Sequence, residues 1–137
     1  MTRVLVDTSA WIDFFRNADS PYGLVVDRLL EEGLVCACNL VIVELVAAAR
    51  TRKEYDELAD FLRALPMLAD PPDMWDLVME AGFTLRRKGV NGVGIPDLII
   101  AAVSRFHKSP VFSKDRHFTA MHGHLGLVLY ETCISGE

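Results

Sequence analysis

The stretch that decides the fold is Val4-Leu5-Val6-Asp7-Thr8-Ser9-Ala10-Trp11. Three apolar residues, two of them β-branched, suit a strand buried on both faces, as strands of a parallel sheet are. Asp7 falls where that strand should end, and in open α/β sheets ligands gather outside the carboxyl ends of the strands. The plain alternative is a helix cap, because Asp, Thr and Ser are all good N-caps. This stretch alone does not separate the two readings. Three further carboxylates in comparable settings favour chemistry.

Working outward, the first strand spans about residues 3–7 and leads into a helix from Ser9 to about Phe15. Its Trp11, Phe14 and Phe15 form an aromatic face suited to core packing or to a partner. Leu24 to Glu32 has helical apolar spacing, with Gly33 to end it, and Leu34 to Cys38 reads as a second buried strand. Leu40 to Ala49 is apolar at every position except Glu44, so it reads as a buried helix. A lone Glu in such a helix is costly unless paired, hydrogen-bonded or bound to metal. Lys53 to Leu65 is an amphipathic helix broken by Pro66, followed by a short strand over 67–69. A longer helix covers about 74–88, and Trp75, Val78, Met79, Gly82 and Phe83 share one face expected to point inward. Gly89 to Gly94 is a glycine-rich loop without P-loop spacing.

Ile95 to Val103 opens with Pro96 at a helix start, which places Asp97 in the first turn. A carboxylate is welcome there for dipole reasons, but the flanking sequence is almost wholly apolar. Pro110 to Ser113 reads as an inner strand, with Asp115 just beyond it as Asp7 is beyond the first, and Gly126 to Tyr130 as a final strand. Short apolar strands alternating with helices imply a parallel, helix-covered sheet in one domain over residues 1–137.

Composition narrows the classes. No apolar run reaches the roughly 18 residues of a membrane span, and no secretory leader pattern opens the chain. Cys36, Cys38 and Cys133 are an odd set without zinc spacing, which points to reduced thiols and a cytoplasmic protein. The net charge of −5 argues against broad electrostatic binding of nucleic acid, unless carboxylates are concentrated at a cation site. The basic clusters (Arg50, Arg52, Lys53; Arg86, Arg87, Lys88; Arg105, Lys108, Lys114, Arg116) read as solvated helix ends before phosphate tracks. His107, His117, His122 and His124 read as surface histidines, and none is assigned to catalysis.

Asp7, Glu44, Asp97 and Asp115 each interrupt or end an apolar stretch. Carboxylates gathered in a buried site repel, so they need protons or cations to coexist. Oxygen donors suit Mg²⁺ or Mn²⁺ rather than zinc, and such ions polarise a phosphodiester and activate water. Thr8, Ser9 and Ser113 have hydroxyls that can hold those carboxylates or cap helices.

The ordered set VLVDTSAW (4–11), VIVELVAAAR around Glu44, IPDLIIAA (95–102) and FSKDRHF (112–118) resembles a PIN-domain ribonuclease, specifically the VapC-type toxins of toxin–antitoxin pairs. The resemblance implies a three-layer α/β/α sandwich and endonucleolytic, metal-dependent RNA cleavage. It implies that Asp7, Glu44, Asp97 and Asp115 bind Mg²⁺ or Mn²⁺, with Thr8, Ser9 and Ser113 in support. A homodimer and inhibition by a small VapB-like antitoxin are further implications. Asn39 stands where many relatives carry threonine or serine, and Ser113 where many carry threonine. Three other readings compete: an RNA-processing nuclease of this fold without an antitoxin, an inactive binding module, and a phosphotransfer receiver. The receiver expects adjacent acidic residues after the first strand, and Val6-Asp7-Thr8 has no such pair.

Overall fold

The strands form because short runs of β-branched and sulfur-bearing residues are covered from both sides. In the computed structural model, which describes residues 2–132, β1 (Val4–Val6), β2 (Val35–Cys38), β3 (Met67–Leu68) and β4 (Val111–Phe112) pair in parallel. Their order is β3-β2-β1-β4, with Val4 opposite Val35 and Leu5 opposite Val111. Every residue of β1 and β2 is buried, as expected for a sheet with helices on both faces. Among the described residues seven helices supply those layers: α1 (Thr8–Arg16), α2 (Pro21–Glu31), α3 (Asn39–Ala47), α4 (Arg52–Arg63), α5 (Met74–Arg87), α6 (Ile95–His107) and α7 (His117–Leu125). One continuous core runs from Leu5 and Trp11 through Leu29 and Ile100 to Phe118. Each such fully buried side chain contributes about 1.5–3 kcal/mol by leaving water.

The chain reverses its direction of travel across the sheet at β1, which lies between β2 and β4. In open α/β sheets ligands bind in the crevice outside such a switch point, and here Asp7 and Ser113 directly follow β1 and β4. Local chemistry sets the flanking helices. Ser20 accepts a hydrogen bond from Gly23 N at 3.1 Å ahead of Pro21 in α2, and Thr51 accepts one from Glu54 N at 3.1 Å to start α4. Cys36 and Cys38 are buried free thiols, both pushed up to about 11 by desolvation, which keeps them protonated. Cys133 lies outside the described residues.

Three expectations need correction. On α5 the buried face is Val78, Ala81 and Leu85, whereas Trp75, Met79 and Phe83 are each more than 60% exposed. This helix carries two apolar stripes offset by one residue, about 100° around its axis. The stripe of smaller side chains packs inward. Gly82 still faces α6, since a Cβ there would meet Leu98 Cδ1 at 3.3 Å. Helix α3 is likewise not buried all round: Val43 is 61% exposed and Glu44 is half-buried. The final strand over 126–130 reduces to a single parallel bridge, Leu129 to Val111, because Gly126 takes a left-handed φ of 76° that ends α7 and delays strand entry.

Candidate active site

Asp7 is the most enclosed of the four carboxylates, at 5% exposure. It occupies the N-cap position of α1, yet its side chain caps nothing. Its backbone carbonyl accepts from Ala10 N at 3.1 Å and Trp11 N at 3.2 Å, which leaves the carboxylate for other partners. Those partners are hydroxyls: Ser113 Oγ donates to Asp7 Oδ2 at 2.7 Å and Ser9 Oγ at 3.0 Å. The two serines are 3.1 Å apart, and their oxygens accept from Asp115 N (2.9 Å) and Lys114 N (3.0 Å). Asp7 is thereby tied to the loop that carries Asp115.

Asp115 in turn accepts from the backbone N–H of His117 at 2.9 Å through Oδ1. This short turn starts α7 and brings the His117 ring to Asp97 and Asp115. Its Nδ1 lies 2.9 Å from Asp97 Oδ2 and 3.3 Å from Asp115 Oδ1. Asp97 reaches this point from the first turn of α6, entered through Pro96. Ligand-capable atoms of Asp97, Asp115 and His117 all lie within 4.8 Å of one another. Burial raises the pKa of Asp97, and the charges of Asp115 and Asp7 raise it further, against the lowering effect of His117. His117 is raised in turn, first by its hydrogen bond to Asp97. Negative charge thus accumulates where three elements meet, the condition a bound cation relieves.

Glu44 stands apart from that cluster. It accepts from Thr8 Oγ1 at 2.7 Å, so α3 is linked to the start of α1. The three supporting hydroxyls therefore divide: Thr8 serves Glu44, while Ser9 and Ser113 serve Asp7. Asn39 donates to Asp70 at 3.4 Å on the exposed side and touches none of the four carboxylates through that bond. Lys114 pairs with Asp13 at 2.9 Å.

His117, read from sequence as a surface histidine, is placed by the structure against Asp97 and Asp115. His107 and His122 hydrogen-bond backbone carbonyls of Ala69 and Leu127, as surface histidines do. His117 differs because the 117–125 segment is helical and starts two residues after Asp115. The signal was Asp115-x-His117 itself, a turn followed by a helix start. The glycine-rich loop lies beside this ring, since a Cβ at Gly92 would stand 4.0 Å from His117 Nε2.

A model of the PIN domain matches residues 4–123. The chain belongs to the PIN domain family. Ribonuclease VapC21 of Mycobacterium tuberculosis is 36% identical over 119 residues, covering 85% of this chain and 84% of its own. The VapC ribonuclease Mb1587 of Mycobacterium bovis is 30% identical, covering 84% and 88%. Among solved structures, VapBC2 from Rickettsia felis bound to a promoter DNA fragment aligns with a TM-score of 0.75 at 17% identity, over 96% of this chain and 100% of that one. At that identity the match speaks to the fold, and the PIN architecture agrees with the sheet order and helix layers described above.

Proposed function

We propose that this PIN domain is a metal-dependent endoribonuclease, the toxin of a toxin–antitoxin pair, acting as a single domain in the cytoplasm. The observation that carries the reading is the convergence of Asp97 and Asp115 in one cluster, with buried Asp7 tied through Ser113 to the loop that carries Asp115. The curated relatives are named as ribonucleases. An all-carboxylate set of this kind fits Mg²⁺ or Mn²⁺. Asp7, Asp97 and Asp115 would hold the ion and Glu44 would contribute from α3. A bound dication supplies charge neutralisation at the phosphodiester and a water of lowered pKa.

The chain's own residues do the positioning. Ser9 and Ser113 fix the Asp7 carboxylate, and Thr8 fixes Glu44. Second partners of this sort orient ligands, and their loss commonly weakens a metal site about 10–100-fold. Two surfaces support the partners. Phe15, Leu58 and Phe61 line an apolar cleft between α1 and α4, rimmed by Glu54 and Glu57, which suits an antitoxin segment carrying apolar and basic side chains. Structural neighbours include VapBC assemblies, among them VapBC-5 of Mycobacterium tuberculosis, a member of the VapBC family of toxin–antitoxin systems. The exposed Trp75, Met79 and Phe83 stripe supports a homodimer.

The test is incubation of a mixed RNA pool with purified protein and with Asp97→Asn, each in Mg²⁺, Mn²⁺ or EDTA. Metal-dependent cutting by the unmodified chain alone is expected. Absence of cutting and of metal binding would instead indicate an inactive binding module.

A further inference from the structure

Beyond the four carboxylates that define the site, we infer that His117 supplies an imidazole nitrogen to the same ion as Asp97 and Asp115, which makes this centre selective for a transition-metal dication over Mg²⁺. The inference rests on the metal-dependent reading above. In the metal-free chain Nδ1 is hydrogen-bonded to Asp97 Oδ2 at 2.9 Å and lies 3.3 Å from Asp115 Oδ1; on coordination the ion takes the place of the Nδ1 proton, which leaves to solvent. Neighbouring ligands on an octahedral ion with bonds of about 2.1 Å are roughly 3 Å apart, so these atoms already have the spacing of one coordination face. The ring is also held in place. The turn in which His117 N donates to Asp115 Oδ1 at 2.9 Å fixes its backbone, and Phe118, the next residue, is fully buried in the core. Gly92 beside Nε2 leaves no side chain to compete for that edge of the ring.

The consequence follows from donor chemistry. Mg²⁺ takes oxygen ligands and gives up water reluctantly, whereas imidazole suits Zn²⁺, Fe²⁺ and Ni²⁺ best and Mn²⁺, the weakest-binding of the first-row series, to a smaller degree. A nitrogen donor in this position therefore adds affinity for Mn²⁺ and little for Mg²⁺. A residue that only oriented Asp97 through a hydrogen bond would help both ions alike, and this difference separates coordination from positioning.

The experiment uses the full chain loaded with Mn²⁺, compared with His117→Gln and His117→Ala, whose folding is verified by their melting curves. Pulsed electron paramagnetic resonance should show ¹⁴N modulation from a coordinated imidazole, absent in both variants. Calorimetric titration should show Mn²⁺ affinity falling about 10-fold in the variants, with Mg²⁺ affinity changed less than about 2-fold. Mn²⁺ binding without ¹⁴N modulation, or equal losses for the two ions, overturns the inference and leaves the nuclease reading intact. No Mn²⁺ binding by any of the three proteins overturns both.

Discussion

Ser113→Ala probes how the site is held, because one hydroxyl joins three of its parts. Ser113 Oγ donates to Asp7 Oδ2 at 2.7 Å, contacts Ser9 Oγ at 3.1 Å and accepts from Asp115 N at 2.9 Å. A hydrogen bond to a charged group contributes about 1.5–3 kcal/mol, and a buried group left without its partner adds to the loss. Asp7 is 5% exposed, so water does not replace the hydroxyl freely. Ser9 remains as a second donor at 3.0 Å, which holds the expected cost near about 2 kcal/mol. For a domain of 137 residues that corresponds to a melting point lower by roughly 5–8 °C. Ser113→Thr keeps the hydroxyl and should lose less than half as much. The assay is thermal unfolding in EDTA at neutral pH, with Ser9→Ala and the double variant completing a cycle. Since both serines serve one oxygen, their effects should be non-additive. A Ser113→Ala melting point within about 1 °C of the unmodified chain, or strict additivity with Ser9→Ala, would refute this account of the carboxylate's support.

Other outcomes follow from the same geometry. Both shifted groups at the site, Asp97 and His117, have raised pKa values, so each binds its proton more tightly in the folded chain. Their contributions are present at low pH and are lost as pH rises through the raised values, the first above the ordinary carboxyl range for Asp97 and the second above the ordinary imidazole range for His117. Metal-free protein should therefore lose stability across the second window, and His117→Gln should flatten that slope in denaturant titrations. Mn²⁺ at about 100 times its dissociation constant should stabilise the folded chain by about 2.7 kcal/mol, with the gain absent in Asp97→Asn. On α5, Met79→Glu should leave the monomer's fold intact by circular dichroism, since that side chain is exposed on the single chain, while converting the proposed dimer to monomer in sedimentation and removing any concentration dependence of the melting point.

The chain's plan was legible where pattern and chemistry agree. The apolar run Val4–Val6 suits a buried strand, and the parallel sheet places it between β2 and β4, while the role of Asp7 as cap or site residue needed its neighbours in space. Asp97 and Asp115 were legible because each breaks an apolar context next to a helix start or a strand end. Helix α5 was not, because two apolar stripes at adjacent positions satisfy the same periodicity, and only packing against α6 selects between them. The division of hydroxyls between Glu44 and Asp7 was beyond reach, since Ser9 and Ser113 meet across 104 residues of sequence. His117 read as a surface histidine because its setting is made by the turn at Asp115 and by the arrival of Asp97 from α6, twenty residues away in sequence.

The most direct test of the central claim, that Asp7, Asp97 and Asp115 form one catalytic centre, is single-turnover cleavage of a labelled RNA in Mn²⁺. The unmodified chain would be compared with Asp7→Asn, Asp97→Asn, Asp115→Asn and the triple variant. Groups that act as a unit are non-additive, so each single replacement should cost nearly as much as all three. Losses that multiply across the three positions, or any single variant cutting within a few-fold of the unmodified rate, would contradict the account.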